Sequence, residues 1–111
     1  MGNFLTLSET MLLLAIMQLG DEAYGVAIRE AVSSISGKAY TYGSLYSALD
    51  QLVRKEYVLK EAGEPTPERG GRRKIFYSLT PKGTDALRTA WELHNALWGD
   101  LGEEFFTKRD T

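Results

Sequence analysis

The sequence predicts a small, mainly α-helical α+β domain in which three helices precede a β-hairpin and a further helix. Helix-capping residues stand in front of apolar stretches with helical spacing, which predicts the helices. A segment with two prolines and two glycines separates two β-prone stretches, which predicts the hairpin. With 111 residues, of which 25 % are charged, the chain fits one globular domain.

The first two helices are bounded by recognisable start and stop signals. Thr6 and Glu9 fit a capping box. The apolar residues after them occur almost all round the helix, so we expect it to be buried on most faces, and Gly20 ends it. The segment 21–25 starts a second helix, which ends in the serines before Gly37.

A third helix is predicted from Tyr42 to Glu56, with Thr41 as its N-cap. Its apolar positions share one face, so they are expected in the core: Leu45, Leu49, Leu52 and Val53. The opposite face is rich in hydrogen-bonding side chains rather than in Glu and Lys.

Two strands and a last helix follow. The stretches 57–61 and 73–79 are β-prone, and the loop 64–72 joins them. Tyr77 falls on the inner side of the second strand and is expected in the core. Thr80 and Pro81 begin a helix that runs to about Trp98 or beyond. Its apolar arc is too wide for one packing partner. We therefore expect a domain over residues 1–80 and a dimerisation helix with its tail over 81–111.

Several classes of protein are disfavoured by composition. The chain has no cysteine and one histidine, His94, so most metal sites and most nucleophilic active sites lack their parts. We therefore expect no enzyme activity, no metal and no cofactor. The most apolar run, residues 11–17, is far shorter than the ~20 residues of a membrane span. The expected location is the cytoplasm.

Positive charge is concentrated in the middle of a chain whose net charge is -2. Residues 54–82 carry eight basic and four acidic side chains, whereas acidic residues prevail on both sides. The densest part is 69–74, with four cations around two glycines. A charge run is often only a solvated surface, but the glycines favour a hairpin tip that presents the cations.

The order of elements is that of a winged helix-turn-helix with an appended C-terminal helix. In this architecture the third helix enters the major groove of DNA and the hairpin, the wing, lies on the flanking backbone. Three segments also closely resemble the PadR family of bacterial transcription regulators: 24–28, 42–52 and 70–83. The resemblance covers about residues 6–100 and is greatest to the compact branch with a single C-terminal helix. It implies a homodimeric DNA-binding repressor, with a ligand between the subunits in some members.

Candidate DNA-binding residues come from the third helix and the wing. Free backbone amides in the first turn of a helix can meet a phosphate, and side chains there reach base edges. The candidates on the third helix are Thr41, Tyr42, Gly43, Ser44, Tyr46, Ser47 and Gln51. The candidates in the wing are Arg69, Gly70, Arg72, Arg73 and Lys74. For Tyr46 the alternative is that the ring packs under the helix.

A stripe on the last helix is the candidate dimer interface or ligand site: Leu87, Trp91, His94, Trp98 and Leu101. One interpretation is a dry hydrophobic seam between two copies. The other is a pocket for a planar apolar or aromatic molecule, with walls from Leu5, Leu12 or Ile16 of the first helix. His94 fits an interface residue better than a ligand or a base.

Two functions of different classes remain open from the sequence. The first is a ligand-responsive transcriptional repressor that binds an inverted-repeat operator as a homodimer. The alternative is a winged-helix module that binds proteins and not DNA. The overall negative charge favours the second, whereas four cations around paired glycines in the wing favour the first.

Overall fold

The computed structural model describes residues 4–63 and 74–110, and side chains as far as residue 107. Its elements in chain order are α1 (Leu7–Leu19), α2 (Gly25–Ser36), α3 (Tyr42–Arg54), β1 (Val58–Ala62), β2 (Ile75–Leu79), α4 (Pro81–Trp98) and α5 (Leu101–Asp110). One 3₁₀ turn, Gly20–Glu22, joins α1 to the segment before α2. The winged helix-turn-helix order predicted from the sequence is confirmed.

The predicted helix starts are confirmed at the level of hydrogen bonds. The Thr6 hydroxyl accepts from the Glu9 amide at 3.1 Å, and the Glu9 carboxylate accepts from the Thr6 amide at 2.9 Å. The hydroxyls of Thr41 and Thr80 each accept from the amide three residues further on. These are local contacts, which is why the sequence pattern located them.

Helix α3 ends at Arg54, earlier than predicted, and β1 begins at Val58, one residue later than predicted. The prediction ran to Glu56, but that residue has a left-handed φ of 66° and turns the chain toward β1. The two strands are antiparallel, with Val58 opposite Leu79 and Lys60 opposite Tyr77. The chain therefore reverses direction immediately after α3, which places the hairpin beside it.

The core lies where α1, α2 and α3 meet the hairpin. Leu45, Leu49 and Leu52 are at most 1 % exposed, as their spacing predicted. Tyr77 is also in the core, as expected, and burial, with smaller effects of Asp50 and Tyr46, raises its pKa to about 12. The buried apolar set is Leu12, Leu13, Ala15, Ile16, Ala23, Ile28, Val32, Leu45, Leu49, Leu52, Tyr57, Val58, Tyr77 and Leu87.

The first helix is less completely buried than its composition predicts. Leu12, Leu13 and Ile16 are in the core, whereas Leu7 is 77 % exposed and Met17 is exposed as well. An apolar residue on every side of a helix needs a partner on every side. Within one chain, α1 has α2, α3, α4 and the hairpin as neighbours, and its first turn still projects beyond them.

The C-terminal part is two helices rather than the single one of the compact branch. Gly99 has a φ of 47°, which ends α4 after Trp98, and α5 begins at Leu101. The Trp98 ring packs against α5, with its centroid 6.2 Å from that of Phe106. A Cβ on Gly102 would lie 2.8 Å from the Trp98 ring, so a residue without a side chain permits this close approach.

Candidate nucleic-acid interface

The polar face of α3, which carries the candidate DNA-binding residues and is called the reading face below, is exposed along its whole length. All seven candidate residues on or next to this helix are exposed, from Thr41 to Gln51. The apolar residues of the same helix lie on its opposite, buried face. The fold therefore presents the polar face of α3 as a continuous surface, which is the arrangement that a major-groove helix requires.

The first turn of α3 is open to a close approach. The Thr41 hydroxyl accepts from the Ser44 amide at 3.1 Å and donates to the Ser44 hydroxyl at 3.0 Å. The Thr41 side chain is therefore engaged as the N-cap of α3. Apart from residues 42–44 and the backbone of α3 itself, no heavy atom of the described residues lies within 4 Å of the position that a Cβ on Gly43 would occupy. A phosphate or a base edge can therefore reach the backbone at Gly43.

Both interpretations of Tyr46 describe part of its environment. The ring stacks on Tyr42 one turn earlier, with centroids 6.4 Å apart and planes 23° apart. The hydroxyl lies where a Cβ on Gly25 would be, so it contacts the backbone of α2. The side chain is nevertheless 40 % exposed. Tyr46 packs against α2 with its hydroxyl and leaves ring surface available beside Tyr42.

The base of the wing is attached to the start of α2. The Lys74 ammonium lies 4.3 Å from the centroid of the Tyr24 ring, which also meets Phe76 edge-on at 5.8 Å. The Gly63 amide donates to the Lys74 carbonyl at 2.7 Å, which extends the hairpin toward its tip. The other four wing candidates, Arg69, Gly70, Arg72 and Arg73, lie outside the described residues.

An ion pair neutralises the one carboxylate on the reading helix. Asp50 of α3 and Lys60 of β1 are 3.3 Å apart, and both side chains are about half exposed. Lys60 does not pair with its neighbour Glu61, because adjacent residues of a strand point to opposite faces. The pair with Asp50 lowers the repulsion between this helix and a phosphate backbone.

One cation next to the reading face was not predicted from the sequence. Arg29 of α2 donates from Nε to the Tyr40 carbonyl at 2.5 Å, and its guanidinium carbon lies 4.7 Å from the centroid of the Tyr42 ring. Residues 29 and 42 are too far apart in the chain for any local pattern to predict this contact. Only the packing of α2 against α3 brings them together.

A second candidate surface is an apolar groove of about 400 Å³ between α1 and α4. Of the predicted stripe, it includes Leu87, Trp91 and His94, although Leu87 is only 8 % exposed and also belongs to the core. The first helix lines it through Leu7, Thr10 and Leu14, together with the preceding Phe4 and Leu5. Of the walls suggested by the sequence, Leu5 lines the groove, whereas Leu12 and Ile16 are in the core.

The two tryptophans belong to different surroundings within one chain. Trp91 lines the α1–α4 groove and is 66 % exposed. Trp98 lies instead with Leu101 and Phe106 around a shallow depression at the α4–α5 turn, and its ring is 6.2 Å from that of His94. The spacing of seven residues predicted both indoles on one face of the helix. Because α4 ends at Gly99, however, α5 packs beside Trp98 and not beside Trp91.

The start of α4 is bonded to the turn between α3 and β1. The Thr80 hydroxyl donates to the Glu56 carbonyl at 2.6 Å, and the Thr80 amide donates to the Tyr57 carbonyl at 3.0 Å. The Tyr57 carbonyl oxygen also occupies the position that a Cβ on Gly83 would take. We call this contact the α3–α4 junction. It joins the start of α4 to the turn that immediately follows the reading helix, at the base of the wing.

Two further kinds of site are not found in the described part of the chain. No helix there is both long and apolar enough to cross a membrane. No group of three or more His, Asp or Glu side chains among these residues is positioned to hold a metal ion.

Comparison with known proteins agrees with this architecture. The model of the transcriptional regulator PadR-like family matches residues 13–89. RosR of H. salinarum is 32 % identical, with 85 % of this chain and 77 % of that chain covered and a TM-score of 0.63. A complex structure of hsRosR-S1 gives 30 % identity, coverage of 96 % and 89 %, and a TM-score of 0.64.

A more distant structure has the highest fold similarity of the three. A PadR-like transcriptional regulator from Bacillus cereus is 17 % identical, with 88 % and 90 % covered and a TM-score of 0.70, a likeness of fold alone. No curated protein matches the chain closely enough to count as a relative. The family match covers α2, α3, both strands and the first half of α4. The chain therefore belongs to the PadR-like family of transcriptional regulators, so that its winged helix is a DNA-binding module and not the scaffold of an enzyme.

Proposed function

We propose that the protein is a homodimeric repressor that binds an inverted-repeat operator and releases it when a planar apolar or aromatic molecule binds between the subunits. The observation that carries the proposal is one polar, exposed reading face on α3 combined with one exposed apolar surface on α1 and α4. The α3–α4 junction connects the two surfaces.

The DNA-binding part is supported by the exposed first turn of α3 and by the wing. Two copies related by a twofold axis would present their α3 helices roughly 34–36 Å apart, one turn of B-DNA. The alternative, a protein-interaction module, predicts no preference among duplex sequences. Selection from a random duplex library followed by anisotropy titration decides between them. Enrichment of an inverted repeat is expected, and the absence of any enriched sequence would contradict the proposal.

The homodimer is supported by the apolar side chains that one chain leaves in solvent. Leu7, Trp91, Leu97 and Leu101 are each about two-thirds exposed or more. A contiguous apolar surface of this kind marks an interaction site. Sedimentation should give a dimer at micromolar concentration, and Leu97→Glu should shift it toward the monomer with its circular dichroism unchanged. A stable wild-type monomer would contradict the dimer.

The effector is supported by the α1–α4 groove and its indole. An aromatic face binds a planar molecule by stacking, and Trp91 lines the groove whereas Trp98 does not. Titration with a panel of planar aromatic compounds should therefore quench tryptophan emission saturably. The quenching should be lost in Trp91→Ala and retained in Trp98→Ala. No response across the panel would favour a dry seam between the subunits.

Relief of repression follows if the effector and DNA prefer different positions of α4. A shift of α4 acts on α3 through the Thr80 contacts and on the wing through β2. The compound that quenches Trp91 should weaken duplex binding, and by linkage the duplex should weaken binding of the compound by the same factor. A compound that binds without changing duplex affinity would contradict relief of repression by this route.

A further inference from the structure

Arg29 has an unusual set of contacts for a cation in a DNA-binding domain. Its Nε–H is bonded to the Tyr40 carbonyl at 2.5 Å, and its planar group lies over the Tyr42 ring at 4.7 Å. Among the residues that the structure describes, it forms no ion pair with a carboxylate. One of its five N–H donors and its flat face are therefore used inside the protein.

The contacts of Arg29 form part of a series that crosses the reading face of α3 and ends at the backbone of α2. Tyr42 stacks on Tyr46, and the Tyr46 hydroxyl contacts the backbone at Gly25. Arg29 and Gly25 lie one turn apart on α2, so the two tyrosines are held at both ends by the same helix. We call the stacked rings of Tyr42 and Tyr46 the tyrosine pair.

The tyrosine pair is held in place and still exposed. Tyr42 is 45 % exposed and Tyr46 is 40 % exposed. An aromatic ring that is fixed before binding loses little conformational freedom when it binds. In the major groove the distinctive apolar group is the C5-methyl of thymine, and apolar side chains recognise it by contact.

We propose that Arg29 is a positioning residue that holds the tyrosine pair as a preformed surface for thymine methyl groups in the major groove. This inference rests on the proposed function, because it requires α3 to enter the groove. The guanidinium acts through Tyr40 and Tyr42 rather than by touching DNA. Lysine cannot replace it, because an ammonium group has neither the planar face nor the Nε–H in that position.

The first test measures the methyl contact on the wild-type dimer. A duplex selected from a random library is synthesised with deoxyuridine at one thymine position in both half-sites, which removes only the methyl groups. Burial of one methyl corresponds to about a fourfold change in affinity, so affinity should fall about tenfold or more at one or two positions. Tyr42→Ala should bind the thymine and uracil duplexes equally. Equal affinity of the wild type for both duplexes at every position would overturn the inference.

The second test separates positioning from a phosphate contact. Arg29→Met and Arg29→Lys should both weaken the selected duplex about tenfold, change random-sequence duplex affinity less than twofold, and reduce the effect of uracil. The salt dependence should stay that of the wild type. Arg88→Met, which removes the same charge from an exposed site on α4, should leave all four measurements unchanged.

A different result would identify Arg29 as a phosphate ligand. In that case Arg29→Met would reduce the slope of log affinity against log salt by about two for the dimer, Arg29→Lys would restore it, and the uracil effect would persist. This combination overturns the inference while leaving the proposed function intact. If the wild type selects no duplex at all, the proposed function fails first and the inference fails with it.

Discussion

Replacing Gly83 with alanine should destabilise the protein, although alanine is the better helix-forming residue. Gly83 is a buried residue in the first turn of α4. A Cβ atom there would overlap the Tyr57 carbonyl oxygen and lie 3.0 Å from the carbonyl carbon. Because the obstacle is backbone and not the end of a flexible side chain, the overlap is relieved only if α4 moves away from the end of α3.

Three contributions set the magnitude. Alanine in place of glycine inside a helix stabilises it by about 1 kcal/mol, whereas overpacking costs about 1–3 kcal/mol. Moving α4 also weakens the two hydrogen bonds from Thr80 to Glu56 and Tyr57, each of which contributes about 1 kcal/mol. The free energy of unfolding should therefore fall by about 1–4 kcal/mol.

Urea unfolding followed by circular dichroism measures this change, at one fixed protein concentration because a dimer's stability depends on it. Gly43→Ala is the matched control, since it places the same methyl group in the first turn of α3, where no other described part of the chain comes within 4 Å. That variant should be as stable as the wild type or slightly more stable. If Gly83→Ala were as stable as Gly43→Ala, the close approach of α4 to Tyr57 would be refuted.

Three further predictions concern DNA affinity and pH. Gly43→Ala should weaken binding to the selected duplex at least severalfold without loss of stability, because the added methyl group occupies space next to the backbone that faces the groove. Unchanged affinity would mean that DNA does not approach the chain at Gly43. Arg72→Ala with Arg73→Ala should flatten the salt dependence of binding by up to about four for a dimer, and an unchanged slope would mean that the wing does not touch DNA. Burial raises the pKa of Glu9, but hydrogen bonds from Lys55 and Thr6 outweigh it and hold the pKa below its usual value. The stability from Glu9 is therefore present at neutral pH and is lost as the pH falls below about 4.5. The difference in urea midpoint between wild type and Glu9→Gln should shrink over the same range, and a constant difference would refute the Glu9–Lys55 contact.

The parts of the fold that were predictable depend on contacts within a few residues. The capping hydroxyls of Thr6, Thr41 and Thr80 bond to amides three positions away, so the sequence pattern itself contains both partners. The division of α3 into a core face and an exposed face follows from the helical period alone. The order of these elements, together with the resemblance of three segments to the PadR family, predicted the winged helix-turn-helix.

Tertiary structure decided the contacts between residues that are distant in the sequence. Arg29 reaches Tyr42 only because α2 packs on α3, and Thr80 reaches Glu56 only because the hairpin returns the chain to the end of α3. The same holds for the tryptophans, which helical spacing placed on one face. Gly99, with a positive φ of 47°, ends α4, so Trp98 meets α5 while Trp91 stays in the groove beside α1. Faces and caps are periodic or local, so the sequence pattern was enough to predict which surfaces the chain presents, whereas the packing of distant segments sets how those surfaces are connected.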